Sequence, residues 1–173
     1  VADPRVDVVV EMIGGVDAAD ALFQRCIDAR KHFVTANKAL IAMRGARLLP
    51  LAREAKICVG FEGAVAGGIP IIKSLREGLA GNSINWVAGI INGTCNYILT
   101  QMAAGDDFAK ALAAAQALGY AEADPTFDVE GIDAAHKLAI LAALAFGIRL
   151  DPDAVYTEGI SRVGVEDLEY AAA

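Results

Sequence analysis

The run Val6-Asp7-Val8-Val9-Val10-Glu11-Met12-Ile13-Gly14-Gly15 decides the fold. It is β-branched and almost continuously apolar up to the two glycines that end it. A strand covered on both faces of a parallel sheet reads this way. Next comes Asp17, a candidate helix cap, ahead of Ala21, Leu22, Cys26, Ile27 and Ala29 at helical spacing. His32 to Thr35 reads as a short strand. Asn37 can cap a helix over Lys38 to Met43, and a second helical stretch runs around Leu48 to Lys56 with Pro50 near its start. Ile57 to Phe61 is another buried strand. Strand, helix, strand, helix, strand is a parallel α/β pattern with right-handed crossovers.

Beyond Phe61 the texture changes, and a domain boundary is placed near residue 60. Glu62 to Pro70 is a glycine-rich loop, and Pro70 opens a helix through Ile71, Ile72, Leu75 and Leu79. Ile84 to Ile91 reads as a strand ending at Asn92-Gly93-Thr94. Helices are expected over Thr94 to Ala103 and Asp106 to Leu118, the second followed by a natural glycine cap at Gly119. Tyr120 to Gly131 is an acidic loop without periodicity. Ile132 to Phe146 is a strong helix stopped by Gly147, and the acidic tail from Asp151 is weakly patterned.

The 173 residues are 55% hydrophobic and 21% charged, which excludes a disordered chain. The net charge is −7, opposite to what a nucleic-acid surface requires. From Tyr120 onward there are three basic residues against eleven acidic ones, so the excess sits in the last third. Cys26, Cys58 and Cys95 have no metal-like or disulfide-like spacing and point to a reducing compartment. No secretory signal is visible. The longest uncharged apolar run, Leu138 to Ile148, falls short of the roughly 20 residues that span a bilayer. A soluble, cytoplasmic chain without a membrane partner is expected.

Three places could carry chemistry. Lys38, after Asn37, follows a strand at the carboxyl edge of a parallel sheet, where open α/β folds bind ligands; a solvated surface lysine is the competing reading. The loop from Glu62 to Pro70 lacks the dinucleotide-binding G-x-G-x-x-G spacing, and its helix starts on a proline that donates no N–H. Inward carbonyls there would suit a hard cation, against the plainer reading of a tight turn. The strongest candidate gathers Glu122, Asp124, Asp128, Glu130 and Asp133 before His136 and Lys137. Asp133 and Lys137 share a helix face. They are either a surface ion pair or, on so apolar a helix, a partly buried pair able to exchange a proton. Carboxylates in such number also suit a cationic group such as an α-ammonium. His136 points elsewhere and is read as structural, and Thr94 as a helix cap.

Four segments, VTANKALIA (34–42), FEGAVAGGIPIIKSLREGL (61–79), INGTCNYILTQM (91–102) and LGYAEADPTFDVEGIDAAHKLAIL (118–141), closely resemble homoserine dehydrogenase. The resemblance implies an α/β protein: part of a Rossmann-like parallel sheet over residues 1–60, then an α+β catalytic and dimerisation domain over 61–173. It implies interconversion of L-homoserine and L-aspartate 4-semialdehyde with NAD or NADP, in threonine and methionine biosynthesis, by a homodimer. By the same resemblance Lys137 moves the substrate proton and Asp133 holds both substrate and Lys137. Glu122 binds the substrate ammonium with Asp128 in support, and Thr94 lies at the substrate pocket. Lys38, with Thr35 nearby, faces the cofactor or the reacting end of the substrate, and Gly119 passes close to the cofactor. Carbonyls of Glu62, Val65, Gly67 and Ile69 hold a monovalent cation, sodium.

The sequence departs from the family in lacking the first βα unit with G-x-G-x-x-G, so an internal piece that binds cofactor poorly alone is expected. Two rival readings are a Rossmann-linked oxidoreductase acting on a sugar or another amino acid, and a truncated, non-catalytic dimerisation module.

Overall fold

A computed structural model describes all 173 residues. Two compact units are present: Val1–Val87 with His136–Val155, and Ala88–Ala135 with Tyr156–Ala173.

In the first unit, β1 (Val8–Glu11), β2 (His32–Thr35) and β3 (Val59–Gly60) form a parallel sheet in the order β1-β2-β3. The register pairs Val8 with His32 and Glu11 with Thr35. Helices α1 (Asp17–Asp28) and α2 (Lys38–Glu54) make the crossovers. The core between sheet and helices is built on Phe23, Cys26, Phe33, Leu40 and Leu48, all fully buried, with the Phe23 and Phe33 rings stacked at 4.4 Å. Only one sheet face is covered. Phe33, Thr35 and Glu11 are buried, whereas Val8, Val10 and Val34 are 47%, 60% and 39% exposed. The expectation that β1 is covered on both faces is therefore corrected. Side chains alternate along a strand, and both crossover helices pack on the same side.

Three local expectations also change. The two helical stretches after Asn37 are one helix, α2, which runs through Gly45 and carries Pro50 inside it. Gly45 is buried, and a Cβ there would reach 3.4 Å from Leu150, so this glycine serves close packing rather than a break. Asp17 is the first residue of α1 and Val16 its cap, with no side-chain cap bond. The Ile57–Phe61 strand is laddered only at Val59 and Gly60.

After a 3₁₀ turn at Glu62–Ala64, helix α3 (Ile71–Lys73) continues into a π-helical turn at Ser74–Gly78. Pro70 offers no capping side chain, and the Glu62 carboxylate takes that role, accepting from Ile72 N–H (2.8 Å) and Lys73 N–H (2.9 Å). Ile41, Phe61, Val65, Ile72 and Ile140 form a second buried cluster in this unit. Residues 84–91, expected as a strand, join no ladder, and Trp86 and Ile90 are 75% and 80% exposed. A β-strand exists only through inter-strand hydrogen bonds, and the sheet comprises β1, β2 and β3 alone.

The second unit holds α4 (Gly93–Ala103), α5 (Phe108–Ala117), α6 (Thr126–Val129) and α8 (Val165–Ala172) around Ile98, Met102, Ala111, Ala115 and Val129. Helix α6 stands inside the segment expected as an acidic loop, and α8 lies in the weakly patterned tail. Helix α7 (Ile132–Phe146) belongs by residues to both units, the division falling after Ala135. No helix is long and apolar enough to cross a membrane.

Candidate active site

The acidic segment resolves into separate roles. Asp124 turns onto Thr126, taking its N–H at 3.1 Å, and the bonds from the Thr126 side chain first and its backbone N–H second hold the carboxyl below the usual carboxylate range. Glu130 accepts from the Ser161 hydroxyl at 2.7 Å. Glu122 is exposed, with its backbone carbonyl bonded to Gln116 at 3.0 Å. Only Asp128 and Asp133 converge, and they do so on Asn92, which sequence reasoning did not single out. The Asn92 amide nitrogen donates to Asp128 Oδ1 at 2.7 Å and to Asp133 Oδ2 at 2.9 Å. Its Oδ1 accepts the Cys95 N–H at 2.7 Å and so caps α4. A cap uses only the oxygen of an asparagine; two N–H donors left over in a carboxylate-rich chain were the signal to follow.

Asp133 is 3% exposed, in the first turn of α7. Lys137, half-buried, follows four residues later, one turn along the same helix. His136 is buried. Thr94 is buried but caps nothing: Asn92 holds that position, and the Thr94 hydroxyl donates to the Tyr120 carbonyl at 2.6 Å. Gly119 lies just before, at φ +76°, in open space. Cys95 donates its thiol to the Asp128 backbone carbonyl at 3.2 Å. Burial first, then the charges of Asp128 and Asp133, push that thiol up to about 11.

In the first unit, the carboxyl edge of the sheet carries Thr35 and Lys38. Glu11, 1% exposed, accepts from the Thr35 hydroxyl (2.5 Å), Ile13 N–H (2.7 Å) and Gly14 N–H (3.0 Å). Burial raises its pKa, but the bonds from Thr35, Gly14, Ile13 and Asn37 outweigh that and hold the carboxyl below its ordinary value. Asn37 caps α2 through Leu40 N–H at 3.0 Å and ties back to the Gly15 carbonyl at 2.6 Å. The β1 and β2 loops are thus joined. A Cβ at Gly14 or Gly15 would meet nothing within 4 Å, so the backbone of this edge stands open to a flat ligand. An anionic dinucleotide fits such a shelf, with a helix N-terminus and Lys38 beside it.

In and just before the Glu62–Pro70 loop, the carbonyls of Phe61, Ala66, Ile69 and Pro70 accept from the N–H groups of Ala64, Ile69, Ile71 and Ser74. Those of Glu62, Val65 and Gly67 lie outside these bonds, and Ile69 keeps its second lone pair; carbonyl oxygen is the ligand type a hard cation takes. No cluster of side-chain ligands for a metal is present.

Two family models match the chain: "Homoserine dehydrogenase, NAD binding domain" over residues 1–62 and "Homoserine dehydrogenase" over 70–173. The homoserine dehydrogenase of Pseudomonas aeruginosa is 61% identical over 172 residues, 99% of this chain and 40% of that protein. That of Neisseria gonorrhoeae is 56% identical over the same shares. The crystal structure of a homoserine dehydrogenase from Thiobacillus denitrificans matches with a TM-score of 0.95 and 56% identity, over 98% of this chain and 40% of that one. A hyperthermophilic archaeal homoserine dehydrogenase in complex with NADPH matches at TM-score 0.84 and 32% identity, over 92% and 49%. The chain thus spans about 40% of the length of the curated relatives it matches. With family models matching residues 1–62 and 70–173 and relatives covering up to 99% of it, the chain belongs to the homoserine dehydrogenase family.

Proposed function

We propose that the intact protein carrying this chain interconverts L-homoserine and L-aspartate 4-semialdehyde with NAD or NADP, in the cytoplasm and on the route to threonine and methionine. The observation that carries this reading is the pair of carboxylates gathered by Asn92 at the start of the helix that bears Lys137, in a chain of this family.

What bound nicotinamide supplies is acceptance of a hydride from the substrate's carbinol carbon, or its return. The chain's own residues bind, orient and move one proton. As hydride departs, the carbinol O–H bond breaks and its proton passes to Lys137 Nζ; in reduction Lys137 returns it to the new alkoxide oxygen. Asp133 orients Lys137 and hydrogen-bonds substrate, and Glu122 pairs with the substrate ammonium, with Asp128 behind it. Thr94 lines the substrate's place. Thr35, Lys38 and Gly119 hold the dinucleotide. Carbonyls of Glu62, Val65, Gly67 and Ile69 hold sodium, which stiffens the loop before α3. Residues 1–60 act as the later part of the dinucleotide-binding domain and 61–173 as the catalytic and dimerisation domain. The exposed apolar segment 84–91 supports a homodimer in which this segment pairs with its symmetry mate.

The test is homoserine oxidation by the intact protein, followed by nicotinamide absorbance. Turnover is expected, with Glu122→Gln raising KM for homoserine and leaving that for the cofactor nearly unchanged. No turnover with homoserine, against turnover with another alcohol, overturns the reading.

A further inference from the structure

We propose that Asn92 is a positioning residue, a clasp whose single amide group fixes Asp128 and Asp133 and so sets the start of the helix that carries Lys137. The inference rests on the roles proposed above for Asp133 and Lys137.

Asn92 is an N-cap, and for that task alone aspartate or serine would serve as well. Its amide does more. Both hydrogens of Nδ2 are spent, on Asp128 Oδ1 and Asp133 Oδ2, while Oδ1 takes the Cys95 N–H. Among cap residues only asparagine offers one acceptor and two donors on the same rigid plane. Two carboxylates that approach one atom repel each other unless a donor stands between them, and a buried carboxylate without donors is costly. The nitrogen of Asn92 meets both needs.

The three residues come from different elements: the cap of α4, helix α6 and the first turn of α7. Between Asp128 and Asp133 the chain turns at Gly131, at φ +82°. The Cys95 thiol adds a second tie from the first turn of α4 to Asp128, through its backbone carbonyl. A small shift of a supporting group can cost on the order of 100-fold in rate when reacting atoms must align. Asn92 touches no reacting atom; it acts through Asp133.

Asn92→Asp and Asn92→Ser in the intact protein separate clasp from cap, because both replacements retain the cap oxygen. Asn92→Asp sets a third oxygen against two carboxylates. It should lower kcat for homoserine about 100-fold while KM for the nicotinamide cofactor stays within about twofold. Asn92→Ser, which adds no charge, should lose about tenfold. A second readout does not depend on turnover: site-resolved alkylation with iodoacetamide. Loss of the clasp loosens α6 from the first turn of α4 and should speed modification of Cys95 at least about tenfold in Asn92→Ser, with exposed Cys58 as the internal reference. If both variants keep more than half of wild-type kcat, or Cys95 reacts at the wild-type rate in Asn92→Ser, Asn92 is a cap and the clasp is overturned. A wild-type protein that does not oxidise homoserine defeats the proposed function instead, and the alkylation rates still decide the clasp.

Discussion

Replacing Glu11 by alanine should loosen the carboxyl edge of the sheet by an amount the structure allows one to work out. The carboxylate accepts from Thr35, Ile13 and Gly14, and Thr35 is itself buried. The two backbone N–H groups lie in an exposed loop and regain water at little cost. The Thr35 hydroxyl proton has no such recourse, and an orphaned buried donor costs about 1–3 kcal/mol. The lost methylene adds about 0.8 kcal/mol. A total of about 2–4 kcal/mol corresponds, for a chain of this size, to a melting midpoint lower by roughly 5–15 °C. Glu11→Gln keeps an oxygen for both amides and the buried methylene but turns its NH2 toward the Thr35 hydroxyl, so it should lose less than the alanine variant, about 1–3 kcal/mol. The pH dependence carries a sign. A carboxyl held below its ordinary value of 4.5 contributes stability that is present above that pH and is lost as pH falls through the lowered value. Thermal unfolding by circular dichroism between about pH 7 and 3 should therefore show a steeper acid loss in wild type than in Glu11→Gln. An alanine variant within about 0.5 kcal/mol of wild type, or equal acid slopes, would mean that the Glu11 carboxylate does not hold this edge.

Gly159→Ala should cost about 1–3 kcal/mol in urea unfolding, because its Cβ would stand 2.7 Å from the Val129 carbonyl oxygen and 2.8 Å from the Glu130 Cα, backbone that cannot step aside; an unchanged midpoint would contradict this. Cys95, with its thiol pushed up to about 11, should be alkylated far more slowly at pH 8.5 than exposed Cys58, and comparable rates would contradict the burial and charge assigned to it. Its contribution to stability is present below the ordinary thiol value of 9.0 and lost as pH rises through about 11. For the proposed homodimer, the intact protein should scatter light as a dimer and its Trp86→Lys variant as a monomer; a wild-type monomer would refute the dimer, and a dimer that survives the substitution would remove segment 84–91 from the interface.

Much of this arrangement is legible in the sequence because local chemistry and tertiary demand agree. Asn37 caps α2, Gly119 follows α5 in the left-handed region, and Gly147 does the same after α7. Where they disagree, packing decides. Gly45 and Pro50 look like breaks, yet α2 continues through both. The apolar segment 84–91 has the composition of a strand, but a ladder needs a partner, and composition does not name one. The acidic segment illustrates the limit for the site. Five carboxylates close in sequence look like one cluster, but Asp124 and Glu130 are spent on Thr126 and Ser161, and only Asp128 and Asp133 meet. What joins these two is Asn92, about forty residues earlier, a contact that no local pattern encodes.

The proposal that Lys137 moves the substrate proton is tested most directly by kcat for homoserine oxidation by the intact Lys137→Ala protein, with its fold checked by circular dichroism. A fall of about 10²–10⁴-fold with the fold intact is expected, the usual contribution of a general acid–base group. A folded variant that retains more than about a tenth of wild-type kcat would contradict it.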